Sequence, residues 1–259
     1  MLDVACPAET LSRTAAGGRL THTLLDAPPF GRWRVAIGRL LHWHYKMFLR
    51  RKHADVVLER IGDARVLVMP GVLNPRLMRT GAYFASQLSS GLLRGVDEAL
   101  DMGAGSGICS VVAARSARRV VAVDINPEAV RCTRINAVLN RVEDRIEVLQ
   151  GDLFAPLGGR RFDVILFNPP FLQREPRDDA DRAWASTDVA QRFATSLGAH
   201  LNPGGAALML LSSFGDPNLF LEPLREQGFA VSELATREFV NERLAIFRIV
   251  AMPDRKSVV

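Results

Sequence analysis

An α/β doubly wound fold on a mostly parallel sheet, with a small helical region on its N-terminal side, is predicted by three observations. From residue 96 onward, β-branched apolar runs alternate with helical stretches; the runs end in glycine, aspartate or asparagine; and a Gly-x-Gly-x-Gly loop joins the first run to the helix that follows.

The elements can be taken in order. Residues 1–30 read as loop, with Gly17-Gly18 and Pro28-Pro29 as breakers. Helical character is expected from there to about Ile61, since Trp33, Ile37, Leu41, His44 and Phe48 fall at helical spacing. Between Gly31 and Ala54 stand Arg32, Arg34, Arg39, Lys46, Arg50, Arg51 and Lys52 with no acid. Residues 1–95 hold 14 Lys/Arg against 6 Asp/Glu, whereas the remainder holds 19 against 22, so the basic excess lies wholly in the N-terminal part. A basic helix over 31–54 suits an RNA or acidic protein partner, a solvated surface or a lid over a pocket. Arg65 to Met69 and Val72-Leu73, parted by Pro70-Gly71, are expected to form a short hairpin, and Thr80 to Leu93 a linking helix. The expected division is 1–64 as a helical basic region, 65–95 as hairpin and linking helix, 96–252 as the main domain and 253–259 as a tail.

The main domain opens with Val96 to Met102 as a strand, Gly103-Ala104-Gly105-Ser106-Gly107 as a tight loop and Ile108 to Ala117 as a helix. Glycines there let the backbone approach a ligand closely. A dinucleotide fingerprint needs its third glycine one place later, where Ile108 stands, and the Gly-Lys-Ser/Thr ending of a phosphate-binding loop is absent. Hydride and phosphoryl transfer are both disfavoured. Arg119 to Asp124 is a second strand closing in a carboxylate, at about the 20-residue offset from which an acid holds ribose hydroxyls. Asn126-Pro127 starts a helix running to Asn140, with proline at a favourable first position. A third strand, Arg145 to Leu149, leads to Gly151-Asp152-Leu153, where Asp152 suits an adenine amino group.

The strand Phe162 to Phe167 delivers Asn168-Pro169-Pro170-Phe171 to the carboxyl edge of the sheet. Two prolines fix the turn and remove two N–H donors, leaving carbonyls free to accept. An amide or aromatic amine nitrogen is a poor nucleophile because its lone pair is delocalised. The Asn168 side-chain oxygen and the Pro170 carbonyl, gripping two N–H bonds, would return that pair to nitrogen, with Phe171 stacked on the planar group. Positioning of this kind is worth about 7–11 kcal/mol in favourable cases. Gln173 to Asp188, polar and charged with Trp184, is the natural substrate loop. Asp188 to His200 reads as helix, Asn202-Pro203-Gly204-Gly205 as turn, Ala206 to Leu211 as a buried strand and Leu219 to Gln227 as helix, before strands Phe229 to Leu234 and Leu244 to Val250.

These residues resemble the class I S-adenosylmethionine methyltransferases over roughly Val72 to Val250. The resemblance implies a seven-stranded Rossmann-like sheet whose last strand is antiparallel, with S-adenosylmethionine as cofactor and S-adenosylhomocysteine as product. It also implies that Asp101, Gly103, Ala104, Gly105 and Gly107 lie under the methionine part, Asp124 with Ile125 and Asn126 at the ribose, and Asp152 with Leu153 at the adenine. Asn-Pro-Pro-Tyr/Phe marks members that methylate exocyclic or amide nitrogens. The chain is most similar to the HemK-type glutamine methyltransferases, through Asp124 to Ala129, Val72 to Thr80 and Asp181 to Phe193. In that comparison Thr80 joins the cofactor residues, but the acid usual before it is Met78 or Arg79 here. Phe171 in place of tyrosine resembles the guanine methyltransferases of ribosomal RNA instead. A protein glutamine leads as acceptor, a nucleic-acid base and a small metabolite remain beside it, and an inactive cofactor-binding interaction module is the non-enzymatic alternative.

At 259 residues and 48% apolar content, the chain can bury a full core. No run of 18 apolar residues free of charge occurs, so no membrane partner is expected. Three cysteines without a Cys-x-x-Cys pair suit a reducing cytoplasm, and the five histidines make no metal-binding pattern. Cys109 is expected to be a small buried residue.

Overall fold

The computed structural model describes residues 55–170, 172, 174–175, 185–240 and 242–252. The basic stretch 31–54, Phe171, most of the expected substrate loop and the tail 253–259 lie outside the described residues.

The chain from Asp55 enters a strand rather than a helix. β1 (Val57–Ile61) alternates half-buried and exposed residues and turns at Gly62, whose φ of 56° suits glycine, into β2 (Ala64–Val68). The pair is antiparallel, with Val57 opposite Val68 and Ile61 opposite Ala64. This corrects two expectations. The helix expected to reach Ile61 does not include these residues, because a period of two replaces the helical period. The hairpin partner of Arg65 to Met69 is β1, since Val72 N–H closes a turn onto the Met69 carbonyl instead.

α1 (Thr80–Gln87) follows and widens into a π-type turn at Leu88–Leu92, where Gly91 takes a φ of 97°, so the regular helix is shorter than expected. β3 (Glu98–Met102), α2 (Ile108–Ala113), β4 (Arg119–Asp124), α3 (Pro127–Leu139) and β5 (Ile146–Gln150) then alternate. β6 (Phe162–Phe167), α4 (Val189–His200), β7 (Leu201–Ser212), α5 (Asn218–Glu226), β8 (Phe229–Glu238) and β9 (Arg243–Ala251) complete the order. The expected turn at Asn202 to Gly205 is instead part of β7. A Cβ on Gly205 would lie 2.9–3.1 Å from the carbonyl oxygens of Asn202, Phe162 and Asp163, so glycine allows the strand to pass there.

The sheet runs β5-β4-β3-β6-β7-β9-β8. All neighbours up to β7 are parallel, and β9 is antiparallel to both β7 and β8. Strand order reverses between β3 and β6, which opens the crevice where such sheets bind ligands. One face is covered by α1, α2, α3 and the hairpin around Phe84, Leu88 and Val111; the other by α4 and α5 around Phe193, Leu197 and Leu221. Among the described residues no helix is long and apolar enough to cross a membrane.

The hairpin is held to the domain by polar contacts as well as apolar ones. The outer edge of β2 would leave the Arg65 and Leu67 backbone unpaired, and two asparagines one helical turn apart, Asn136 on α3 and Asn140 at its C-cap, supply the missing strand. Asn136 accepts from Leu67 N–H (2.7 Å) and donates to the carbonyls of Leu67 (2.7 Å) and Ser106 (2.8 Å); Asn140 accepts from Arg65 N–H (3.0 Å) and donates to its carbonyl (2.7 Å). Asn136 is fully buried. Asn136→Ala removes the side-chain partner of the Leu67 N–H and of the Ser106 carbonyl and one of the two side-chain donors to the Leu67 carbonyl, and is expected to lower the unfolding free energy by about 2–4 kcal/mol in urea titration.

Candidate active site

The carboxyl ends of β3, β4, β5 and β6 meet at one edge. β3 delivers Asp101 and Met102 into the glycine loop, in which Gly103, Gly105 and Gly107 have φ of 67°, 56° and 75°. The Gly103 and Ala104 N–H groups both donate to the Val123 carbonyl, at 2.8 and 3.0 Å, folding the loop across the neighbouring strand. Gly107 begins α2 against α3. A Cβ there would stand 2.8–2.9 Å from Thr133, whose hydroxyl donates to the Gly105 carbonyl (3.2 Å), so Gly107 is fixed by crowding as well as by φ. Gly103 and Gly105 differ: a Cβ would come no nearer than 3.8 Å to other atoms, which leaves open space over the loop.

Asp124 ends β4. Its Oδ2 accepts from Gly105 N–H (2.8 Å) and its Oδ1 from Asn126 N–H (2.9 Å). The carboxylate is only partly buried and its lone pairs are not all taken, so it can still accept from a ribose hydroxyl. The carboxylate and the open loop therefore fit a nucleoside cofactor. Burial raises the Asp124 pKa, against the pull of the N–H groups of Asn126, Gly105 and Ile125. The Ile125 side chain stands partly exposed beside it, and Asn126 caps α3 by accepting from Glu128 N–H (2.9 Å) while donating to the Gly71 carbonyl (3.2 Å).

Asp152 follows β5, beside Asp124, and the Gly151 N–H donates to the Asp124 carbonyl (3.0 Å). Leu153 has a φ of 47°. Thr80 opens α1 and is buried. A Cβ on the adjacent Gly81 would lie 3.6 Å from Ile108, the first residue of α2, so the start of α1 abuts the end of the glycine loop. Arg79, where the look-alike pattern has an acid, takes a φ of 62° and lays its guanidinium 5.1 Å from the Phe239 ring.

β6 lies beside β3 with Phe167 opposite Met102, so Asn168 leaves the sheet next to Gly103. Asn168 and Pro170 are half-buried and Pro169 is buried. Phe171, expected as the stacking face, lies outside the described residues. Beyond the bend, Pro170, Leu172, Ser186, Thr187, Val189 and Phe220 line a cavity of about 40 Å³.

Two residues with a part in the site were not singled out from the sequence. Ser110 donates its hydroxyl to Asp101 Oδ2 at 2.5 Å, and the helical spacing of a polar residue after the glycine loop was its only signal. Arg192 reaches Asp152 at 2.6 Å, and its position four residues after Asp188 was the visible clue. Cys109 and Cys132 are buried thiols, raised in pKa chiefly by desolvation, Cys132 to about 11. Among the described residues no cluster of His, Cys, Asp and Glu is placed to hold a metal ion.

Burial lifts the Asp101 carboxyl from its ordinary 3.8 to about 7, against the Ser110 hydrogen bonds. Unfolded, this group loses its proton near the ordinary value; folded, it holds it to about 7. The native state therefore binds the extra proton between those values and loses stability as pH rises through them. Asp101→Asn removes that loss. Melting temperatures taken from pH 5 to pH 8 are expected to shift progressively in favour of the variant relative to the parent.

Residues 69–233 match the methyltransferase small domain family. A putative protein N5-glutamine methyltransferase of Methanocaldococcus jannaschii is 33% identical over 158 residues, covering 58% of this chain and 79% of that protein. A release factor glutamine methyltransferase of Koribacter versatilis is 34% identical over 168 residues, covering 58% and 59%. Among solved structures, the T. thermophilus 16S rRNA N2 G1207 methyltransferase in complex with AdoMet and guanosine aligns with a TM-score of 0.58 and 25% identity, over 76% of this chain and 50% of that one. The chain thus spans between half and four-fifths of these three proteins.

Proposed function

This chain belongs to the methyltransferase small domain family, and on that premise we propose that it uses S-adenosylmethionine to methylate a planar nitrogen, with a protein glutamine side chain as the leading acceptor. The observation that carries the reading is the side-by-side exit of the glycine loop from β3 and of the Asn168-Pro169-Pro170 bend from β6, adjacent strands about 4.8 Å apart.

The cofactor supplies, when bound, a methyl group activated on a sulfonium. The residues of this chain do the rest by holding and orienting. Asp124 would accept from the ribose hydroxyls beside its backbone hydrogen bonds, and Asp152 would accept from the adenine amino group. Gly103 and Gly105 admit the methionine part close to the backbone, above Asp101. Thr80, Ile125, Asn126 and Leu153 line the same cleft.

On the acceptor side, the Asn168 oxygen and the Pro170 carbonyl each accept one N–H of the incoming amide. That grip draws the nitrogen lone pair out of conjugation and aims it along the line of attack. Pro169 fixes the bend, and Phe171 covers the flat face of the acceptor. The acceptor nitrogen would gain the methyl, with the electron pair of the broken bond left on the cofactor, and would lose its proton to solvent after transfer. Fixed dipoles and positioning carry the reaction, so no dedicated base is required in the bond-making step.

The glutamine assignment is supported by the curated relatives named for that acceptor and by the Asp124 to Ala129 segment. An amino group on an RNA base is the second reading, favoured by the phenylalanine at 171 and by the 25% identity to the guanosine-bound ribosomal RNA enzyme. The two differ in salt dependence, since RNA affinity falls steeply with ionic strength.

Titration calorimetry with S-adenosylmethionine is expected to show Asp124→Ala weakening binding by about tenfold to a hundredfold, the scale of lost hydrogen bonds to a charged group. Unchanged affinity removes the ribose assignment. Asn168→Ala is expected to bind the cofactor as the parent does while turnover of the acceptor found by labelled-cofactor incubation falls by at least about a hundredfold. Retained turnover removes the amide grip.

A further inference from the structure

We infer that Arg192, on α4, is a positioning residue that sets the adenine-reading carboxylate of Asp152 and ties it to the acceptor side of the site. This rests on the cofactor reading above. The Arg192 Nη2 donates to Asp152 Oδ2 at 2.6 Å, while Nη1 reaches Asp188 Oδ2 at 3.4 Å, one turn back on the same helix. The fork therefore spans two carboxylates from different sides of the crevice. Asp152 follows β5 on the cofactor side; Asp188 stands just before the first residue of α4, the helix that follows the Asn168-Pro169-Pro170 bend.

The chain of contacts continues to the bend itself. Asp188 Oδ1 accepts from the Ser186 hydroxyl (3.3 Å), which in turn accepts from Val189 N–H (3.2 Å), and Ser186 N–H donates to the Leu172 carbonyl (3.0 Å), two residues beyond Pro170. Arg192 and Asp152 are each about two-fifths exposed, 43% and 41%, so their pairing contributes little to stability. Its effect is directional. With Oδ2 committed to Arg192, Oδ1 is the oxygen left for the adenine amino group, and its direction is fixed by the guanidinium fork.

The test is calorimetry on the full chain with two probes, S-adenosylhomocysteine and its inosine counterpart, in which an oxo group replaces the 6-amino group. A fixed carboxylate accepts from the amino group and repels the oxo group, so the parent is expected to prefer the adenine compound by more than about tenfold. Asp152→Asn is expected to erase the preference. Arg192→Gln is expected to weaken S-adenosylhomocysteine by about tenfold and to lose most of the preference, with Arg192→Lys recovering part of both. If Asp152→Asn erases the preference and Arg192→Gln keeps it, or weakens both probes equally, the positioning role is overturned while the adenine assignment stands. If Asp152→Asn keeps the preference, the adenine assignment fails and this inference fails with it.

Discussion

One buried amide organises the cofactor edge. Asn136 joins β2 of the hairpin, the Ser106 carbonyl of the glycine loop and its own helix α3 at a point without access to water. A side chain there must offer an acceptor and two donors at once, which among uncharged residues of this length only asparagine does. Thr133, one turn earlier on α3, makes the second contact between helix and loop, against Gly107 and the Gly105 carbonyl. The loop is therefore shaped before any ligand arrives, and positive φ at its glycines is imposed by neighbours rather than by what binds. Preorganisation of this kind lowers the entropy that binding must overcome.

The edge is also electrically uneven. Asp101 is buried and Asp124 half-buried in the same corner; desolvation raises both carboxyls, and the Asp124 charge raises that of Asp101 further. Two desolvated acids beside an open glycine loop favour a ligand that brings positive charge and hydroxyl donors, which a sulfonium nucleoside with an α-amino group does. Among the described residues, the Asn168-Pro169-Pro170 bend after β6 offers neutral acceptors. On the proposed function, cofactor and acceptor would be met by different chemistry on adjacent strands.

Much of this was legible in the residues because a buried parallel strand leaves a plain trace: Arg119 to Asp124 and Phe162 to Phe167 appear with the very bounds read from their β-branched runs. The glycine loop was legible through spacing alone. The hairpin was not, since five residues of period two at β1 adjoin a stretch with helical periodicity, and local pattern does not say which strand will pair with which. β7 was read too short because Asn202 to Gly205 carries turn residues, yet Leu201 before them pairs with Phe162 and Ala206 after them with Val164, so the strand runs on through them across a register shift. Arg192 and Ser110 were missed for a different reason: their roles come from side chains meeting across elements, and no single segment contains both partners.

The placement of β9 reaches beyond the native structure to the way the chain acquires it. Leu244, Ala245, Ile246, Phe247 and Ile249 are covered on both faces, and their strand fills an inner slot between two strands made before it. A nascent chain emerging from the ribosome would therefore hold β7 with one ladder of backbone groups unanswered until Ala251 had cleared the exit tunnel. During that interval the growing polypeptide presents a sticky, strand-shaped gap, the kind of surface that chaperones shield and that drives misassembly between neighbours on a polysome.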